Sequence, residues 1–135
     1  INFRDFHTMT TNWEFSLKQN IKNKKVKIEI FIPAEYTNKL REELNNIGAL
    51  GVGNYDNVIS ITKIKGYWRP LSGANPFDGK INEISEANED KIEFSTDIKN
   101  VENIIKVIKE VHPYEEPVIN IIPLLNDKFD INLNY

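Results

Sequence analysis

The sequence contains no cysteine, and this absence excludes several kinds of site. Without thiols, the 135-residue chain has no disulfide scaffold, no cysteine nucleophile and no zinc ribbon. Its stability must therefore come from packing or from assembly. Histidine is also scarce, because only His7 and His112 are present, so few imidazole groups are available for acid-base chemistry or metal binding.

Long apolar runs and a strong positive charge are absent too. No stretch approaches the roughly 20 apolar residues of a membrane helix, and the N-terminal residues lack a charged region followed by an apolar stretch, so we expect a cytoplasmic protein with no membrane contact. The formal net charge is −3, and only three of the 17 basic residues are arginines. This balance argues against nucleic acid as the main partner, since phosphate binding needs a positive field.

The composition predicts one globular domain. The chain is 40% apolar and 10% aromatic, which is enough to bury a core at this length. We divide it into an N-terminal arm (residues 1–23), a folded domain (24–125) and a C-terminal tail (126–135). Because the single methionine is Met9, one interpretation of residues 1–8 is an artificial leader ahead of a native start.

Alternating apolar and polar residues predict four strands, at 24–32, 58–64, 91–96 and 118–124. Apolar residues spaced by three or four predict two helices. The first opens at Pro33 and closes at Gly48; the second ends before His112 and has Asp97 or Asn100 as its side-chain cap. The order is that of an α+β, ferredoxin-like β-α-β-β-α-β fold, an antiparallel sheet with both helices on one face.

The last predicted strand is apolar on both faces, with Val118 and Ile122 on one side and Ile119 and Ile121 on the other. With helices on only one face of the sheet, the second face needs another cover. A second subunit is the simplest cover; the arm or tail of the same chain is the alternative.

The turn between the second helix and the last strand, residues 112–117, has the sequence His-Pro-Tyr-Glu-Glu-Pro. A histidine with two carboxylates suits metal binding or acid-base catalysis, which makes His112, Glu115 and Glu116 candidate ligands of a divalent metal ion. One chain supplies about two convergent ligands at most, so such a site would be weak and would need an assembly. In the alternative interpretation, which we favour, His112 is structural, capping the preceding helix, and Tyr114 packs.

Residues 66–79 form a second candidate, a loop rich in glycine, proline and large aromatic residues. Trp68, Arg69 and Asn75 could offer an aromatic platform with a polar edge to a planar ligand, joined by Tyr55. The alternative is that Trp68 and its aromatic neighbours only anchor the loop on the sheet. Tyr114 completes this candidate ligand-binding set.

These motifs occur in a characteristic order. Four of them, taken together, resemble the insertion domain of the NGG-interacting-factor-three-like proteins. They are Gly-Val-Gly-Asn-Tyr at 51–55, Gly-Tyr-Trp-Arg-Pro at 66–70, Gly-Ala-Asn-Pro-Phe-Asp-Gly at 73–79 and His-Pro-Tyr-Glu-Glu-Pro at 112–117. The last motif also resembles CutA, the divalent-cation-tolerance protein. The resemblance covers roughly residues 26–124.

The resemblance implies a CutA/PII-like ferredoxin-like fold, which typically forms trimers with the sheets facing inward. It does not imply hydrolase or GTP-cyclohydrolase activity, because the family's dinuclear metal site lies in two lobes that flank the insertion. It does not imply a soft-metal site near Tyr55 either, since this chain has Asn57 and Val58 where the family often has His and Cys.

We therefore expect a non-enzymatic homotrimer that binds a small ligand or a divalent metal at its subunit clefts. Two alternatives remain. One is a small metal-dependent hydrolase that uses Glu115 or Glu116 as a base. The other is a structural module that docks on a partner containing a dinuclear metal centre.

Overall fold

The computed structural model of the chain describes residues 25–129, which form a four-stranded sheet and two helices. The strands pair antiparallel in the order β2-β3-β1-β4, which confirms the predicted ferredoxin-like fold. The elements are β1 (Lys25–Pro33), α1 (Thr37–Asn46), β2 (Ser60–Trp68), β3 (Ser85–Asp97), α2 (Val101–Val111) and β4 (Val118–Pro123).

The core lies between the sheet and the two helices. Every second residue of β1, from Val26 to Ile32, is buried, as the alternation in the sequence predicts. The helices cover this face with leucines from α1 and isoleucines from α2, each spaced by one helical turn. These helical core residues are Leu40, Leu44, Ile104 and Ile108.

The central hairpin is longer than predicted. β2 continues to Trp68, three residues into the segment predicted as a loop, and β3 begins at Ser85, ahead of the strand start predicted at Lys91. Backbone pairing explains the difference, because the register of β2 and β3 continues without a break to the pair Trp68 and Ser85. The sequence around these two residues has no clear alternation of apolar and polar side chains, so it did not predict the extension. The functional consequence is that Trp68 is held by a strand.

The predicted side-chain cap of the second helix is wrong. Neither Asp97 nor Asn100 makes a side-chain capping hydrogen bond. Asp97 instead pairs with Lys25 across the sheet, and the amide of Asn100 donates to the Thr96 hydroxyl at 3.4 Å. A single 3-10 turn, Ile98–Asn100, leads into α2 in place of a capped start.

The sheet face opposite the helices, which we call the open face, combines charge with exposed apolar residues. Near its centre, Lys91 contacts Glu29 at 3.3 Å and Glu93 at 2.9 Å, and Lys27 also pairs with both carboxylates. Along β4, Val118 is 54% exposed. No helix within residues 25–129 is long and apolar enough to cross a membrane.

The predicted N-terminal arm lies outside the described residues, as does the end of the predicted C-terminal tail. The first four tail residues, Asn126–Phe129, form a 3-10 turn.

Candidate ligand-binding site

A cavity of about 540 Å³ lies at one end of the open face. Its floor includes Phe31 of β1 and Glu89 of β3, and its walls come from the loop after β2 and the turn before β4. The structure therefore brings the two candidate segments of the sequence together. Five of the predicted site residues line this cavity: Trp68, Arg69, Tyr114, Glu115 and Glu116.

The loop after β2 is held by two polar contacts. The indole Nε1 of Trp68 donates to the carbonyl oxygen of Asp78 at 3.1 Å, which closes the loop upon itself. The backbone N–H of Asn75 donates to Oε2 of Glu115 at 3.0 Å, which links the loop to the turn before β4. Asn75 thus contributes its backbone to the site. Trp68 both anchors the loop and lines the cavity.

Tyr114 lies at the centre of an aromatic cluster. Its ring centroid lies 5.7 Å from that of Trp68 and 6.2 Å from that of Phe77, both in tilted geometry. Its hydroxyl donates to Oε2 of Glu89 at 2.6 Å. Burial, together with this hydrogen bond and the charge of Glu89, raises the pKa of Tyr114 well above its ordinary value, so the phenol stays a donor.

Glu89 is the site residue that the sequence analysis missed. It is only 6% exposed although it carries a carboxylate. Its side chain lies over Gly66 of the neighbouring strand, where a Cβ atom would overlap the carboxylate. A glycine inside a strand is a signal for close approach of another group, and it is the only sequence feature that could have indicated this contact.

His112 has a structural position. Its backbone N–H donates to the carbonyl of Ile108 and ends α2, and its Nε2 lies 2.6 Å from the carbonyl oxygen of Phe31. Since a carbonyl can only accept, Nε2 carries the proton, and Nδ1 accepts from the backbone N–H of Tyr114 at 3.2 Å. Burial lowers the pKa of His112, against the opposing effects of Phe31 and Glu89. The ring therefore joins α2, β1 and the turn as a neutral group.

The predicted metal ligands do not form a set within one chain. Both ring nitrogens of His112 already have partners, and Glu115 accepts from Asn75. Across residues 25–129, no group of three or more His, Asp or Glu side chains lies close enough to hold an ion. Metal binding by His112, Glu115 and Glu116 stays a prediction, and it would require His112 to give up one of these hydrogen bonds.

Tyr55 is not brought to this cavity. It lies in a tight turn after α1, where its backbone pairs with Val52 in both directions, and its side chain is 76% exposed. The turn precedes the first residue of β2, Ser60, whereas the cavity lies at the last residue of β2, Trp68. The role of Tyr55 in ligand binding stays a prediction.

Comparison with known proteins agrees with this architecture. No family model matches the chain. The chain is 33% identical over 98 residues to the GTP cyclohydrolase 1 type 2 homolog of Staphylococcus epidermidis, and 34% identical over 101 residues to that of Halalkalibacterium halodurans. These matches cover 73% and 75% of this chain. The chain is homologous to part of the GTP cyclohydrolase 1 type 2 homologs, the NIF3 family. It spans about a quarter of their length, 27% in both cases.

Solved structures show the same fold. A Bacillus cereus protein related to NIF3 matches 82% of this chain with a TM-score of 0.67 and 22% identity, over 31% of its own length. CutA from Archaeoglobus fulgidus, described as a periplasmic divalent cation tolerance protein, matches 78% of this chain and 92% of its own, with a TM-score of 0.57 and 20% identity. GlnK from B. subtilis matches 76% and 86%, with a TM-score of 0.52 and 18% identity. This chain thus has a CutA/PII-like fold.

Proposed function

We propose that this domain is a non-enzymatic homotrimer that binds a small ligand in the cavity between the loop after β2 and the turn before β4. The observation that carries the proposal is the cavity itself, because it unites the two segments that the sequence singles out. The homology to the NIF3 family and the CutA/PII-like fold support a domain of this type without specifying its ligand.

The size and chemistry of the cavity support ligand binding. Its volume of about 540 Å³ falls within the range of roughly 300–1,000 Å³ that is usual for small-molecule sites. The aromatic rings of Trp68 and Tyr114 supply apolar area, and the side chains of Arg69 and Glu89 supply a few polar groups. This mixture is typical of sites in which apolar contacts give affinity and polar groups orient the ligand.

The open face supports assembly. Val118 and Ile122 are exposed on β4, and the paired charges of β1 and β3 lie beside them on the same face. A self-complementary patch of this kind, apolar at one edge and internally neutralised at its centre, can be buried against copies of itself. The cavity adjoins this face, since Val118 is one of its lining residues.

Fragment screening by ligand-observed NMR tests ligand binding. We expect small aromatic fragments to bind the wild-type chain and to lose binding in an Ala74→Trp variant, because Ala74 lines the cavity and the indole would fill it. Glu102→Trp, which introduces the same side chain at an exposed position of α2, is the matched control and should keep the fragments. Fragments that never bind, or that bind Ala74→Trp equally well, would contradict the proposal.

Light scattering at micromolar concentration tests the trimer. We expect three times the chain mass for the wild type and a smaller species for a Val118→Lys/Ile122→Lys variant with an unchanged circular dichroism spectrum. Ile47→Lys, a change at an exposed apolar residue directly after the end of α1, is the control and should keep the trimer. A wild-type monomer at all concentrations would refute this part of the proposal.

A docking module is the second candidate function. The observation in its favour is that the chain corresponds to about a quarter of its curated relatives, in which this segment is joined to other parts. Co-purification of the tagged chain with a protein that resembles the remaining three quarters would support it. The same experiment on the Val118→Lys/Ile122→Lys variant shows whether such a partner uses the open face.

A further inference from the structure

The charges around the cavity are unequal. Among residues 25–129, four acidic side chains line it, and Arg69 is the one basic residue in the lining. The four acidic residues are Asp78, Glu89, Glu115 and Glu116. Such a surface attracts a positively charged group and repels an anion.

Glu89 differs from the other acidic residues of β3. Glu86 pairs with Lys65 at 3.0 Å, Asp90 with Lys63 at 2.8 Å and Glu93 with Lys91 at 2.9 Å. Glu89 is as buried as a core residue, yet no lysine, arginine or histidine of the described chain forms an ion pair with it. The hydroxyl of Tyr114 donates to one carboxylate oxygen, but this donor is uncharged. Buried carboxylates are normally paired with a cation, so the partner of Glu89 is expected to come from outside the described residues.

The aromatic walls suit the same partner. Tyr114 contacts Glu89 through its hydroxyl, the Trp68 ring lies 5.7 Å from the Tyr114 ring at an angle of 46°, and all three residues line the cavity. The faces of tryptophan and tyrosine attract cations within about 6 Å, Trp most strongly. A carboxylate beside two such rings is a favourable environment for an ammonium or guanidinium group.

We propose that the cavity binds an organic cation, an amine or guanidinium compound with an apolar or planar body. The charged group pairs with Glu89, and the body packs against Trp68 and Tyr114. This inference rests on the proposed function, because it uses the same cavity, and it adds the chemical class of the ligand.

Three probes of nearly equal shape test the inference: 2-phenylethylammonium, neutral 2-phenylethanol and anionic 3-phenylpropanoate. Binding is followed by calorimetry and by Trp68 fluorescence in a Trp13→Phe background, where Trp68 is the sole tryptophan. We expect the ammonium probe to bind about tenfold or more tightly than the alcohol, and the carboxylate to bind least, since a charge-assisted hydrogen bond contributes this much. The ranking of the three probes is measured on an unchanged cavity, so it does not depend on whether a variant of the site folds.

A variant without the charge of Glu89 tests whether this residue is the one that binds the ammonium group. Glu89→Gln keeps an acceptor for Tyr114 and should reduce the affinity for the ammonium probe to that for the alcohol, while the affinity for the alcohol stays within about twofold. Glu102→Gln, a change at an exposed position of α2, should alter none of the three affinities.

The outcomes separate this inference from the proposed function. If the alcohol or the carboxylate binds as tightly as the ammonium probe, the cation assignment is overturned while ligand binding stands. If none of the three probes binds, the inference is overturned, and the fragment screen alone decides the proposed function. The inference is also overturned if the wild type does not bind the ammonium probe and Glu89→Gln lowers the oligomeric state. A basic residue of a second copy would then be the partner of Glu89.

Discussion

The hydroxyl of Tyr114 donates a 2.6 Å hydrogen bond to Glu89, which joins the turn before β4 to strand β3. The contact brings a phenol from the motif at residues 112–117 onto a buried carboxylate 25 residues earlier in the chain. It fixes one wall of the cavity relative to its floor. The stability and the shape of the site should therefore both depend on this pair.

Tyr114→Phe should destabilise the domain by about 1–3 kcal/mol, because it leaves the buried Glu89 carboxylate without its hydrogen-bond donor. Urea unfolding followed by circular dichroism measures the change. Tyr67→Phe removes the same hydroxyl from a tyrosine that is 63% exposed, and it should cost less than about 0.5 kcal/mol. Equal effects of the two variants would show that the Tyr114 hydroxyl has no special role.

Gly66→Ala should disturb the site directly. Its Cβ atom would overlap the Glu89 carboxylate, so we expect a loss of about 1–3 kcal/mol in unfolding free energy together with weaker ligand binding. Gly51→Ala is the control, since its nearest neighbour would be an ordinary 3.8 Å contact. A stable Gly66→Ala variant with wild-type binding would mean that Glu89 moves aside without cost.

His112→Ala should change stability or assembly more than ligand binding, because it removes the contacts of the ring with Phe31 and Tyr114. We expect a loss of about 1–3 kcal/mol in thermal or urea unfolding. A variant that keeps its melting temperature and oligomeric state but loses metal or ligand binding would show that the residue belongs to the binding site instead.

The pH dependence of stability gives an independent test of His112. Because burial lowers its pKa in the folded state, the unfolded chain binds more protons below the unfolded value of about 6.5. The contribution of His112 is therefore complete above about pH 6.5 and is lost as the pH falls through the folded pKa. Urea unfolding of the wild type should show weaker stability as the pH falls from about 7 to about 5, and His112→Gln should show a flatter dependence over this interval.

Lys63→Met should destabilise the domain more than Lys65→Met. Lys63 is the cationic partner of Asp90, which is 2% exposed and also accepts from Thr37 at 2.6 Å, so the change strands a buried charge. We expect about 1–3 kcal/mol. Lys65 pairs with Glu86 at the surface, where such pairs contribute about 0–1 kcal/mol. Thermal melts of both variants measure the two losses of stability. A larger loss for Lys65→Met than for Lys63→Met would contradict the role of Lys63 as the partner of a buried charge.

The sequence determined the order of the elements. Strict alternation in β1 and the three-and-four spacing of α2 are local periodicities that follow directly from strand and helix geometry, so both elements are predicted correctly. The motifs at residues 66–79 and 112–117 also stand out in the sequence by themselves. Their composition is unusual enough to indicate a special role within each segment.

Only the tertiary structure decided how these segments meet. The length of β2 and β3 depends on backbone pairing between residues far apart in the chain, which side-chain alternation does not encode. Glu89 has the local pattern of an ordinary charged strand residue, and its burial follows from Gly66 on one side and Tyr114 on the other. His112, which resembles a metal ligand by residue type, is structural in the fold because both of its ring nitrogens find backbone partners, one of them 81 residues away.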